Sequence, residues 1–356
     1  MRNPARRLQP VHARRTLCAS SIALLAGALL LGGVGCSSGG GGAGVESSDT
    51  PRTAAAPRSS RTEAEELLES AELLVGEDRD EEALRLLAMA IERNPELTVA
   101  HMAVGDIYRE NGDFDSAADA YGDAARLEPR SFDANYRHGL MLHLLDRLTD
   151  AVRAYLRAIA VRPDDVEANL NLATAYLQLD EPAQALPYAR RTIRLDPGNG
   201  AGRANLGAVL SALDRHAEAV EQYEAALELL DLSPALLLNL AESQGKIGRY
   251  REMANTLSSA VSLGESADAY ERLGFAHFRL REYQHAERAF RRSIALDPGY
   301  YPALNGLGVC LLNDYLFNGR KDRAVRDESM EMFRRSLRIN RVQPRITDLI
   351  SRYSRA

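Results

Sequence analysis

Polar side chains that recur at a fixed interval are the first candidates for chemistry in this chain. Asn171, Asn205 and Asn239 stand 34 residues apart, each directly before a leucine (Leu172, Leu206, Leu240). Arg137 and Arg272 hold the equivalent places on either side. A carboxamide carries donors and an acceptor, so a row of them can grip the backbone of an extended peptide whatever its side chains. The flanking guanidinium groups suit an acidic group or a carboxylate. Together these five residues are the expected partner-binding set.

The other reactive types form no constellation. His138 and His143 are five residues apart, which places them on different faces of a helix and disfavours shared metal ligation. The remaining histidines lack partnered cysteines or carboxylates. Asp113 and Asp115 imitate the start of a calcium loop, but Ala118 replaces its glycine and Ala124 its closing glutamate, so a hairpin turn is expected there. The run Gly198-Asn199-Gly200-Ala201-Gly202 imitates a phosphate loop, yet its spacing is wrong and a helix rather than a strand precedes it. No nucleophile-elbow or phosphate-loop motif occurs. No catalytic residue, cofactor or metal is expected, and the protein is not expected to be an enzyme.

The elements that must position the amides are helical. Residues 267–300 show the pattern: Tyr270, Leu273, Gly274 and Phe278 share one helical face, as do Ala286, Phe290 and Ile294. Arg281-Glu282 separates the two runs, and Asp297-Pro298-Gly299 ends the second, because a proline excludes its predecessor from much of helical space. The unit is a helical hairpin. Stepping by 34 residues recovers its closing proline at Pro95, Pro129, Pro163 and Pro197. The small residue of the first helix recurs as Ala71, Gly105, Gly139, Ala173, Gly207, Ala241, Gly274 and Gly308. That of the second recurs as Ala83, Ala117, Ala151, Ala185, Ala219 and Ala286, with Met253 and Ser329 as exceptions. A large apolar residue follows four places on, as Leu87, Tyr121, Tyr155, Tyr223, Leu257, Phe290 and Phe333.

These positions resemble the tetratricopeptide repeat, whose period and motif they share over about eight copies in residues 62–344. The resemblance implies an all-α fold, a right-handed α-solenoid whose first helices line a concave groove. The asparagine row is similar to the asparagine ladder of the O-GlcNAc transferase repeat domain, in three rungs. Within the array, Pro187 is expected to kink its helix. The unit between Pro234 and Gly264 is the most degenerate. In the last unit Phe333 arrives nine residues late, which implies a polar insert over 316–326 after a first helix ending near Leu312. Ile346, Leu349, Ile350 and Tyr353 follow Pro344 at helical spacing, so 345–356 reads as a capping helix.

The ends carry different signals. Residues 1–35 begin with Arg2, Arg6, Arg7, Arg14 and Arg15 and continue into an apolar run, the layout of an export signal. The run is short of the roughly 20 residues of a membrane span. Arg14-Arg15 reads as an ordinary basic start rather than a twin-arginine signal. Gly33-Val34-Gly35-Cys36 resembles a bacterial lipoprotein cleavage site, which implies a lipid on Cys36, although Gly33 departs from the preferred leucine. Ser37 replaces the aspartate that marks inner-membrane retention, so the outer membrane is the expected location. Residues 36–61, rich in glycine and serine, form a tether with a reach of roughly 25–30 Å. Of three cysteines, Cys18 and Cys36 fall in this region, and Cys310 is expected in the core.

The formal charge is −6, or about −11 without the arginine-rich first 35 residues, which argues against a nucleic-acid surface. Residues 320–356 reverse the sign with eleven basic and five acidic residues. Arg320, Lys321, Arg323 and Arg326 are candidate contacts for an acidic protein or an anionic envelope polymer. The reading that follows is a non-enzymatic, lipid-anchored adaptor or scaffold at the periplasmic face of the bacterial cell envelope, binding a protein or extended peptide in its groove. The alternative is a regulatory or targeting subunit of an envelope enzyme complex. Partner identity and self-association stay open.

Overall fold

The computed structural model describes residues 60–354, apart from positions 318 and 320. The expected leader (1–35), Cys36, nearly all of the tether and Arg320 lie outside these residues. Seventeen helices and no strand occur among the described residues. The first helices of eight hairpins are α1 (Ser60–Val75), α3 (Thr98–Glu110), α5 (Phe132–Leu144), α7 (Val166–Gln178), α9 (Gly200–Ala212), α11 (Pro234–Lys246), α13 (Ala267–Arg279) and α15 (Tyr301–Phe317). The second helices are α2 (Asp80–Arg93), α4 (Phe114–Leu127), α6 (Leu148–Val161), α8 (Pro182–Leu195), α10 (His216–Leu227), α12 (Tyr250–Leu263), α14 (Tyr283–Leu296) and α16 (Arg323–Ile339). A last helix, α17 (Pro344–Tyr353), follows. The chain is an all-α solenoid.

Hairpins other than the fourth, which has Ala173 and Ala189 at these places, close through a size match between their two helices. Where the first helix carries glycine, the second carries an aromatic ring pressed against it. A Cβ added at Gly105 would stand 2.6 Å from Tyr121, at Gly139 2.8 Å from Tyr155, at Gly207 2.7 Å from Tyr223 and at Gly308 2.5 Å from Phe333. Where the first helix carries Ala71 or Ala241, the facing residue is Leu87 or Leu257, and both pairs are buried. Interiors are packed to crystal density, so the extra methyl in one helix is offset by a smaller group in the other.

Two devices fix the turns. Within hairpins, one residue takes a left-handed backbone at Asp78, Gly112, Asp146, Asp180, Asp214, Gly248 and Arg281. The following amide then reaches back five residues, as in Arg147 N–H to Leu142 O (2.8 Å) and Arg249 N–H to Gln244 O (2.9 Å). That satisfies carbonyls the helix end would leave bare. Between hairpins, the carbonyl of the closing proline is taken by the side chain six residues on. Asn135 donates to Pro129 (3.1 Å), Asn169 to Pro163 (2.8 Å) and Arg203 to Pro197 (2.8 Å). The His101 ring sits likewise 3.3 Å from Pro95 O. Asp113 caps α4 by accepting from Ser116 N–H (3.1 Å), and Asn199 caps α9 by accepting from Gly202 N–H (2.7 Å). Both motifs that imitated ligand loops are turns.

Three local expectations change. Helix α8 runs through Pro187 without a break. The ring sits in the second turn, so only the Ala183 carbonyl loses its amide partner. In the last hairpin the first helix extends to Phe317 instead of ending near Leu312, and α16 has 17 residues, so much of the insert lengthens helices. Arg326 is 13% exposed along its side chain and pairs with Asp327, which removes it from the expected basic contact surface. Cys310 is buried, as its apolar face suggested. Helix α17 lays Ile346, Leu349, Ile350 and Tyr353 against Leu312, Tyr315, Met330 and Phe333.

Candidate functional site

First helices of successive hairpins also approach one another, as in α1–α3, α5–α7, α7–α9, α9–α11 and α13–α15, whereas no pair of second helices does so comparably. The first helices therefore make the inner wall. The five expected binding residues sit on this wall, at the place where each first helix meets the one before it. Arg137 pairs with Asp106, Asn205 donates to Thr174 Oγ1 (2.9 Å) and Arg272 pairs with Glu242 (3.0 Å). In each case the partner lies 30 or 31 residues earlier, on the preceding first helix. Asn171 meets a leucine, Leu140, at that place and donates instead to the Tyr136 hydroxyl (2.9 Å), which donates to Glu167 (3.2 Å).

The amide row exists, but two of its rungs do not face open groove. Asn171 is 6% exposed and Asn205 4%. Gripping a peptide is withdrawn for these two, because their donors already tie neighbouring helices and no surface remains to touch a ligand. Asn239 differs. Its counterpart on the preceding helix is Ala208, which offers no side-chain acceptor, and Asn239 stays partly exposed. The expectation that all three amides face an open groove fails for Asn171 and Asn205, which are turned into the helix contacts.

Open inner-wall surface lies elsewhere, at both ends of the row. A cleft of about 400 Å³ opens between α1, α3 and α5, lined by Glu72, Val75, Ala103, Asp106, Arg109, Glu110 and Arg137. Its floor is apolar and its rim carries both charges. Asp106 accepts from the Tyr121 hydroxyl (2.7 Å) and pairs with Arg137, so this part of the rim is tied to α4 and α5. Burial and then Asp106 push the Tyr121 phenol up to about 12. Burial opposes the charge of Arg137, but Asp106 and Tyr121 outweigh it and hold the guanidinium above its ordinary value. Glu72 and Glu110 are exposed on the rim and make the cleft acidic on balance.

The second surface spans α11, α13 and the start of α15. Arg272 bridges Glu242 and Asp268, both at 3.0 Å, and Asp268 accepts from the Tyr300 hydroxyl (3.0 Å). Glu271, on the same helix turn, has no ion pair among the described residues. Burial, then the charge of Asp268, raises its carboxyl to about 7, while Arg272 acts against the shift. One turn on, Phe275 stands 39% exposed beside Tyr250, with Arg279 over both rings at 5.7 and 4.3 Å. Sequence reasoning missed Glu242, Glu271 and Phe275. For Glu242 and Phe275 the signal was their place directly after the packing Ala241 and Gly274; Glu271, three residues before Gly274, carries no such mark.

His101, His143, His216 and His277 have polar partners within the fold. His143 Nε2 lies 2.8 Å from Gln178 Oε1, and burial lowers the pKa of both His138 and His143, which keeps the rings neutral near pH 7. Among the described residues no three His, Cys, Asp or Glu side chains converge on a metal-sized site. No helix among them is long and apolar enough to cross a membrane.

Comparison with known proteins addresses the array. One tetratricopeptide repeat model matches residues 102–166, 145–200 and 170–236, and a second matches 267–300. A search of curated proteins found no match. Among solved structures, a tetratricopeptide repeat protein from Parabacteroides merdae is 15% identical, with a TM-score of 0.49, over 70% of this chain and 99% of its own. PilF of Pseudomonas aeruginosa is 19% identical, with a TM-score of 0.45, over 64% of this chain and 99% of its own. YrrB, a TPR protein with an unusual peptide-binding site, is 19% identical, with a TM-score of 0.38, over 61% of this chain and 95% of its own. With its matched repeats, its closing prolines and its glycine–aromatic hairpins, the chain belongs to the tetratricopeptide repeat family, a scaffold for protein–protein interaction.

Proposed function

We propose that this protein is a non-catalytic adaptor that holds an extended segment of a partner along its inner wall. The observation that carries the reading is the cleft between α1, α3 and α5, an apolar floor of Val75 and Ala103 rimmed by Glu72, Asp106, Glu110, Arg109 and Arg137. Arg137 pairs with Asp106 and Arg109 with Glu110 (2.9 Å), which leaves Glu72 to choose a ligand with a basic side chain beside small apolar ones. Asn239, partly exposed and without a hydrogen bond among the described residues, and the Phe275–Arg279 surface extend the same wall and continue the contact. Arg137 and Arg272 contribute by their charge at the two ends of the row, while Asn171 and Asn205 set the spacing of the helices between.

The double variant Glu72→Lys and Glu110→Lys leaves helicity unchanged, since both side chains are exposed, and lowers recovery of the partner from native extracts by at least about tenfold, as expected for two reversed contacts. Unchanged recovery rejects the cleft as the contact. The cellular setting is a separate part of the proposal: Cys36 carries a lipid that tethers the array to the periplasmic face of the envelope. A Cys36→Ser variant then leaves the membrane fraction. A variant that stays with membranes at full precursor length shows that the apolar run itself is the anchor.

A further inference from the structure

Each hairpin after the first buries a fixed set of side chains against the hairpin before it. At one such place Ile107, Met141, Ala175, Val209 and their counterparts as far as Cys310 are all 3% exposed or less. The same place in hairpin one is Leu73, which stands 69% exposed. The place that elsewhere sends Arg137 or Arg272 back to an acid on the preceding helix is Glu69 in hairpin one, also exposed. Asn111, at the corresponding turn of hairpin two, reaches back to Asp80 (3.0 Å), and its counterpart in hairpin one is Glu77, 60% exposed along its side chain and paired within its own turn with Arg79 (2.9 Å). The leading face thus carries the inter-hairpin contact positions, acidic and with one bare leucine.

The other end of the array is its complement. Val342 is 82% exposed beside a shallow cleft of about 490 Å³ whose wall includes Pro344 and Thr347. Arg341 and Arg345 flank it, exposed and without ion pairs among the described residues. The last hairpin and α17 carry the basic excess of residues 320–356, and the leading hairpin carries a dense run of acids.

We infer that the leading face of one copy docks on the trailing end of a second copy, Leu73 entering the cleft beside Val342 and Glu69 and Glu77 meeting Arg341 and Arg345. The junction stacks the leading hairpin of one molecule on the end of the next that α17 covers. It joins unlike surfaces, so it adds copies in line instead of closing a symmetric pair. Because its charged pairs lie at the rim, it weakens as salt shortens the screening length.

The test uses the full-length chain in non-ionic detergent, prepared with two different affinity tags. Wild-type copies retain one another at low salt and lose that retention as salt rises. The leading-face variant Glu69→Arg with Glu77→Arg, and the trailing-end variant Arg341→Glu with Arg345→Glu, each fail to self-retain by at least about tenfold. Mixing the two variants restores retention, because the intact trailing end of the first meets the intact leading face of the second. That rescue also excludes misfolding as the cause. Absence of wild-type retention, retention that survives in either variant alone, or a mixture that fails to rescue overturns the proposal. So does capture of the wild type by phosphatidylglycerol vesicles, lost in the trailing-end variant, without any retention between copies.

Discussion

The glycine–aromatic match can be tested by exchanging it for the alanine–leucine pair found in other hairpins of the same chain. In hairpin three an added Cβ at Gly139 would stand 2.8 Å from Tyr155 Cδ1 and 2.9 Å from Cε1, well inside ordinary contact. Tyr155 is fully buried, so its ring cannot swing aside. Overpacking of this kind costs about 1–3 kcal/mol. Alanine returns up to about 1 kcal/mol over glycine inside a helix. Gly139→Ala should therefore destabilise by about 0.5–2 kcal/mol, against the direction helix propensity alone gives. Tyr155→Leu alone leaves a space where the ring stood and costs about 2–4 kcal/mol. The double variant reproduces the Ala71–Leu87 and Ala241–Leu257 pairs, so it should cost less than the sum of the singles by about 1 kcal/mol or more. Repeat arrays open locally, so hydrogen-exchange protection of hairpin three is the direct readout, with thermal melting beside it. Additive costs, or a stabilising Gly139→Ala, would refute the size-match account.

Other perturbations have outcomes set by the same structure. Asn171→Ala and Asn205→Ala each remove a tie between first helices and should lower stability by about 1–2 kcal/mol in chemical denaturation, whereas Asn239→Ala should leave it nearly unchanged. Glu271 binds its proton more tightly folded than unfolded, so stability falls as pH rises from about 4.5 to about 7 and the full cost is present above that. Glu271→Gln should accordingly raise stability at pH 8 by on the order of 1–2 kcal/mol after solvent screening, seen as a higher melting temperature, and change little at pH 4. A wild-type advantage at pH 8 would contradict this. Arg281 occupies a left-handed turn, with φ of 64°, where hairpins two and six carry glycine. Arg281→Gly should stabilise by about 0.5–1 kcal/mol in the same denaturation assay, since glycine adopts that backbone without steric cost.

The fold was legible because its repeat writes packing into residue size. Gly139 and Tyr155, or Pro129 and Pro163, carry enough constraint at a fixed interval to specify hairpin, turn and stacking without reference to the rest of the chain. Some stabilising detail was equally periodic but went unread, notably Asn135 and Asn169, whose spacing of 34 matches the prolines whose carbonyls they hold. The candidate site was only partly legible. Periodicity identifies the wall a side chain occupies, but not whether the preceding helix offers it a partner. Asn205 is taken because Thr174 is a hydroxyl and Asn239 is open because Ala208 is not, a comparison across 31 residues that a one-helix pattern does not contain. The length of α15 was hidden for a different reason. Leu316 and Phe317 continue an apolar helical run, and the polar residues after them gave the whole stretch the look of a loop.

The most direct test of the inner-wall account is where a bound partner touches the array. A photo-reactive residue placed at Ala103, on the cleft floor, is compared with one at Arg153, exposed on a second helix. The account predicts a discrete partner adduct from Ala103 that disappears with Glu72→Lys and Glu110→Lys, and none from Arg153. An adduct from Arg153 with none from Ala103 would place the contact on the outer side and contradict it.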